Sequence, residues 1–178
     1  MALERKLDVL LEILSSEQQM LQRADQKAFT LLSILGAFSI FFIVHYTKIP
    51  PTPLSFIIIF LYFLFFLFTI INMVLVVIPR VKERKPEIPG KRETAPIFFG
   101  GIIQYQSPEE YAEKLGILLE NADATYETFA RSVYSISRIN SFKNKHLRYG
   151  IICFVTSVAL EFIVIVSLYL NLLIESVK

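Results

Sequence analysis

Three long apolar blocks separate the polar stretches of this chain, and their lengths set the first constraint. A hydrocarbon layer about 30 Å thick needs roughly 20 apolar residues in a helix. Residues 28–47 meet that length, bracketed by Lys27 and Lys48. Residues 54–78 meet it too, rich in phenylalanine and with Asn72 as the one strongly polar member. Residues 149–174 form the third block, with Glu161 near the midpoint. All eight prolines (50, 51, 53, 79, 86, 89, 96 and 108) fall between the blocks, where a missing N–H does no damage. The pattern predicts an all-α membrane protein with three transmembrane helices.

The polar stretches have their own periodicity. Leu3, Leu7, Leu10, Leu14, Leu21, Ala24 and Ala28 step by three and four, interrupted by Glu17. This is the seam of a coiled-coil-like helix. No glycine or proline divides it from the first span, so residues 1–27 are expected to continue into that span as one helix. Residues 79–96 read as a basic, proline-spaced linker, and 97–103 as a packed loop around a glycine pair. Ser107-Pro108-Glu109-Glu110 is a helix start, with a capping serine, a proline in the first turn and Glu110 where a capping box places its acid. That helix is expected to reach about Glu120. Beyond it Ala122, Tyr126, Phe129, Val133, Ile136 and Leu147 continue the seam, with Asn140 and Lys143 as polar members. One helix over 123–174 would be roughly 75 Å long. The region 79–148 is therefore a linker followed by a helical, coiled-coil-like stalk. Its apolar face matches that of the N-terminal helix, which predicts packing of the two and a homo-oligomer.

Charge orients the spans. Four basic residues precede the first span and twelve lie in 80–148, leaving only Lys48 and Lys178 elsewhere. The positive-inside rule then places the N-terminus and the 79–148 region in the cytoplasm and the C-terminus outside. Residues 1–27 mix acids and bases without a short apolar core and cleavage site, so the first block is not read as a secretory signal. Composition removes most enzyme classes. One cysteine excludes an internal disulfide or a multi-cysteine metal site, and six glycines form no phosphate-binding loop. His45 and His146 have no ligand-type spacing, and no catalytic or metal centre is read from the sequence.

Several residues remain as candidates. Glu161 is the sharpest, because a carboxylate at bilayer depth costs several kcal/mol. Gly150, Cys153, Ser157 and Glu161 step along one face, which reads either as a packing face leading to an ionisable gate or as a neutral acid making one interhelical hydrogen bond. Asn72 is assigned to the same membrane-embedded group. Thr30, Ser33 and Ala37 offer a small-residue packing face on the first span. Lys91, Arg92, Arg131 and Arg138 form either an anion site for a phosphorylated ligand or solvated surface charge. Lys143, Lys145 and Arg148 fit attraction to anionic headgroups.

Three stretches carry a resemblance. Ala24-Asp25-Gln26-Lys27-Ala28 is similar to an "ADxKA" signature. Ile97-Phe98-Phe99-Gly100, followed by Ser107-Pro108-Glu109-Glu110-Tyr111, is similar to an "FFG…s.eeY" block. Arg131 and Tyr134, then Phe142 to Arg148 with Lys145 and Arg148, are similar to a basic "KY..LR" element. Gly101 and Asn144 depart from the pattern. In order and spacing the chain resembles the transmembrane effectors of Pycsar antiphage defence, related in layout to SLATT membrane effectors. The resemblance implies a bacterial inner-membrane protein that impairs the membrane in abortive infection. Its activating ligand would be a cyclic pyrimidine mononucleotide made by a partner cyclase. It implies no cofactor, no nucleic-acid partner and no enzymatic activity. The alternative is a membrane adaptor without a pore, whose cytoplasmic helices dock a soluble protein.

Overall fold

The computed structural model describes residues 2–49, 51–79, 102 and 105–177. It is all-α, as the periodicity predicts: α1 (Ala2–Tyr46), α2 (Pro53–Val77), α3 (Pro108–Glu120) and α4 (Ala122–Val177). Three of these are long and apolar enough to cross a membrane, over Arg5–Tyr46, Pro53–Val77 and Ala122–Leu170. Both long continuous helices expected from the missing breakers are present. The linker 79–96 and the loop 97–103 lie, but for Pro79 and Ile102, outside the described residues.

The chain divides into two units. The first comprises Met1–Gln22 and Pro79–Ser141, and the second Arg23–Ile78 and Phe142–Lys178. In the second unit α1 and α2 form the expected hairpin. Lys48 and Ile49 donate backbone hydrogen bonds to the His45 and Tyr46 carbonyls, which ends α1. The Thr52 hydroxyl accepts from the Ser55 N–H at 3.2 Å and Pro53 opens α2, so capping and a preset φ restart the helix at once.

The interior of this unit follows heptad-like steps on each helix. Ala24, Ala28, Leu35 and Phe42 are buried on α1, and Tyr62, Thr69, Met73 and Val76 on α2. On α4 the buried line runs through Lys143, Leu147, Gly150, Ser157, Glu161, Val164 and Leu168. Steps of three, four and seven keep one seam facing inward along a helix. Phe42 stacks on Tyr62 with ring centroids 4.4 Å apart, while Phe38 meets Phe154 and Phe162 edge-on. The outward faces are apolar as well: Phe29, Ile40 and Ile43 on α1, Phe56, Phe60 and Phe63 on α2, Val155 and Phe162 on α4. A fold made for water would cover such residues, whereas lipid solvates them. These three helices make a multi-pass membrane protein.

One packing expectation is corrected here. Thr30, Ser33 and Ala37 are exposed, so they do not form the face on which α1 meets its neighbours in this unit. Thr30 and Ser33 instead donate to carbonyls of their own helix, those of Gln26 and Phe29. The close approach is made through Ala24 and Ala28, one turn apart and almost fully buried.

The first unit is thinner. The Ser107 hydroxyl accepts from the Glu110 N–H at 3.1 Å, and the Glu110 carboxylate reaches back to the Gln106 N–H at 3.0 Å. The cap is the predicted reciprocal one, with its return bond displaced by one residue. Asn121 breaks the chain between α3 and α4 and caps α4 through the Ala124 N–H. On α4 the buried residues are Thr125, Ser132 and Asn140, and on α1 Leu10. The predicted seam is therefore rotated: Tyr126 is exposed, and Phe129, Val133 and Ile136 flank the buried line half-covered. Thr125 and Ser132 tolerate burial because their hydroxyls donate to carbonyls within hydrogen-bond reach, those of Leu118 and Thr128.

Candidate functional site

The second unit concentrates its buried polar groups at two levels. At the first, Lys143 of α4 is 3% exposed and its ammonium lies 2.5 Å from the Asp25 carboxylate on α1. A buried ammonium needs a counter-charge, and Asp25 supplies it from the opposing helix. Around this pair Ala24, Ala28, Met73, Val76 and Leu147 form one apolar cluster, with Leu31, Leu32 and Val77 packed against it. The "ADxKA" stretch and the basic stretch before the third span are thus brought together. The alanines make room, the aspartate holds the lysine, and Leu147 fills the gap.

One turn further along α4, His146 Nδ1 donates to the Asn72 side-chain carbonyl at 2.9 Å, and the Asn72 amide donates to the Phe68 carbonyl. Asn72, the lone polar residue of the second span, is therefore a hydrogen-bonding partner of α4. Gly150 completes this level. A Cβ at that position would fall 2.0 Å from the Met73 methyl and 3.3 Å from Asn72 Cβ, so glycine is what lets α2 and α4 approach there. Lys27, Lys145 and Arg148 are exposed.

The second level is centred on Glu161, 1% exposed, whose carboxyl oxygens have no hydrogen-bond partner among the described residues. The interhelical hydrogen bond considered for it is not made among the described residues. Ser157 is fully buried one turn away, but its hydroxyl donates to the Phe154 carbonyl instead. Tyr62 of α2 lies within electrostatic reach of Glu161, with its hydroxyl beside the Ser39 side chain of α1. Cys153 is half-buried beside this line as a free thiol.

The candidate anion ligands are not gathered in this unit. Arg131 and Arg138 are exposed on α4 seven residues apart, and the Arg131 guanidinium holds Glu127 of the same helix. Lys91, Arg92, Phe99 and Gly100 lie outside the described residues. In the first unit the seam's interruption at Glu17 is matched by Asn140, whose amide donates to the Glu17 backbone carbonyl at 2.8 Å and to its carboxylate.

Sequence reasoning passed over His146, Tyr62 and the Asp25–Lys143 pairing. The available signals were a polar residue alone in an apolar span and a lysine on an apolar seam, each of which requires a partner.

Comparison with known proteins accords with this arrangement. No curated protein and no solved structure matches the chain. The family model described as the Pycsar effector protein domain matches residues 9–170, from the first helix through the last span. Three helices able to span a membrane belong to a chain matched over nearly its whole length, and the chain is therefore a member of the Pycsar effector family, a membrane effector of antiphage defence.

Proposed function

We propose that this chain is a cyclic-nucleotide-responsive effector that impairs the bacterial inner membrane during abortive infection. The observation that carries the reading is the Asp25–Lys143 pair, formed between two stretches that bear the family resemblance. A paired charge at the end of the spanning helices can be redistributed by a competing anion, and a packed apolar cluster gives that change a mechanical consequence. The activating ligand in this reading is a cyclic pyrimidine mononucleotide supplied by a partner cyclase. Its phosphate is met by basic side chains of the cytoplasmic region, with Lys91, Arg92, Arg131 and Arg138 as the candidates. Such a ligand acts only through a difference in affinity between the resting and rearranged states. The protein works without catalysing a reaction, as a homo-oligomer with the N-terminus in the cytoplasm and the C-terminus outside.

The test is membrane polarisation in cells expressing the chain, with the cyclic nucleotide produced or withheld. Depolarisation or dye entry on nucleotide production is the expected result, and unchanged polarisation rejects the reading. The adaptor alternative is separated by two variants. A membrane-acting effector loses activity in Glu161→Leu, whereas an adaptor keeps it and is lost in Phe129→Asp.

A further inference from the structure

The seam between α1 and α4 is covered on one flank and open on the other. The two helices run parallel, since Asp25 meets Lys143 and, further along both, Phe38 meets Phe154 and Phe162. α2 covers one flank, where its Asn72 accepts from His146 and its Tyr62 lies beside Ser39. Residues seven apart on that flank are half-buried: Asp25, Leu32 and Ser39 on α1, and His146, Cys153 and Leu160 on α4. The opposite flank is exposed at Lys27, Ile34 and Phe41 on α1 and at Asn144 and Ile151 on α4, with Arg148 and Val155 bordering it. Positions seven apart keep one face along a helix, so these residues form a continuous furrow.

The furrow is cationic at one end and apolar along its length. Lys27 adjoins Ala28 and Arg148 adjoins Leu147, and both of those neighbours belong to the cluster beside the Asp25–Lys143 pair. The two cations are therefore at one level of the bundle, and Arg23 lies one turn before Lys27. All three are exposed, and no ion pair among the described residues engages them. The one acid near them in this unit, Asp25, is already held by Lys143. The counter-charge at this end comes from outside the unit. A small hydrated anion would leave Ile34, Ile151 and Val155 bare, whereas a phospholipid supplies the charge and covers them with its chains.

We propose that this furrow binds one anionic phospholipid, with its phosphate between Lys27 and Arg148, Arg23 alongside, and an acyl chain laid over Ile34, Ile151 and Val155. Lys143 is withdrawn from the site by Asp25. Lys145, two residues from both Lys143 and Leu147, points away from the seam that those two face, so it does not line the furrow. The lipid joins α1 to α4 on the flank that α2 leaves uncovered.

The experiment uses the full chain in detergent, equilibrated with phosphatidylglycerol or with phosphatidylcholine of the same acyl chains and read by native mass spectrometry. One phosphatidylglycerol is expected to be retained per chain, in preference to phosphatidylcholine. Lys27→Gln and Arg148→Gln are each expected to weaken its retention about fivefold, the factor that one cation beside an anionic headgroup supplies. Lys145→Gln is expected to leave retention unchanged. Ile151→Trp fills the furrow without altering charge and is expected to expel the lipid. Inorganic phosphate, which offers the anion without the chain, is expected not to displace it. Equal retention of the two lipids, displacement by phosphate, or a lipid still held by Ile151→Trp overturns the proposal. So does a Lys145→Gln loss as large as that of Lys27→Gln, which would mean attraction to surface charge alone. The readout needs neither nucleotide nor membrane damage, so it fails or succeeds independently of the signalling reading.

Discussion

The ammonium of Lys143 sits 2.5 Å from a carboxylate oxygen of Asp25, across two helices and 118 residues of sequence. The lysine side chain is 4% exposed and the aspartate 28%. The two partners therefore differ in what their loss leaves behind. Without Asp25 a nearly buried ammonium is uncompensated. Without Lys143 the carboxylate retains some access to solvent.

That asymmetry predicts an order of stabilities. Asp25→Ala is expected to destabilise the spanning unit by about 3 kcal/mol, the range for orphaning a buried charge. Lys143→Met, which keeps the apolar stem, is expected to cost about 1 kcal/mol because the half-buried carboxylate is partly screened by solvent. Thermal unfolding of detergent-solubilised protein measures both, and equal losses would contradict the account.

Gly150 is expected to reject bulk rather than merely to prefer glycine. Alanine gains about 1 kcal/mol of helix propensity but must displace the Met73 methyl, so Gly150→Ala is expected to be near neutral. Gly150→Val is expected to cost about 1–3 kcal/mol through overpacking. Met73→Ala in the same chain is expected to return part of that loss, read as a shift in Tm.

In the first unit Asn140 is buried, and its side-chain oxygen has no partner among the described residues while its amide binds Glu17. Asn140→Ala is expected to cost about 1 kcal/mol. Replacing both partners, Glu17→Leu with Asn140→Leu, is expected to be neutral or stabilising, since a half-satisfied polar pair gives way to an apolar contact. Chemical denaturation monitored by helicity checks both variants.

The start of α3 carries a pH dependence. Hydrogen bonds from its own backbone N–H and from Ser107 hold the Glu109 carboxyl below the ordinary glutamate value of 4.5. A carboxyl lowered in the folded state adds stability above its unfolded value and loses it as pH falls through the lowered one. The protection of amides over residues 108–120, taken relative to the intrinsic exchange rate at each pH, is therefore expected to fall as pH drops below about 4.5. Ser107→Ala is expected to weaken the helix by about 1 kcal/mol at neutral pH.

Some of this could be read without coordinates because it is local. The lengths of the apolar blocks, the breaker-free runs that become α1 and α4, and the cap at Ser107 depend on residues close together in the chain. Asn72 and Glu161 stood out for the same reason, since a polar residue in an apolar span is conspicuous in isolation. Their surroundings were not legible. Helical periodicity says that a residue shares a face with others, and not which of several apolar faces turns inward when every face suits lipid. Thr30 and Ser33 therefore read as a packing face just as Ala24 and Ala28 do, and Tyr126 falls on the predicted seam where Thr125 is the buried residue.

Length, polarity and charge along the backbone were enough to specify a three-span helical membrane protein, because water and lipid sort residues by solvation alone. The partners of Lys143, Asn72 and Asn140, and the lack of one for Glu161 among the described residues, arose only when helices distant in sequence were packed. Solvation acts on each residue separately, whereas a hydrogen bond or ion pair needs two groups within about 3 Å, a condition that folding alone creates.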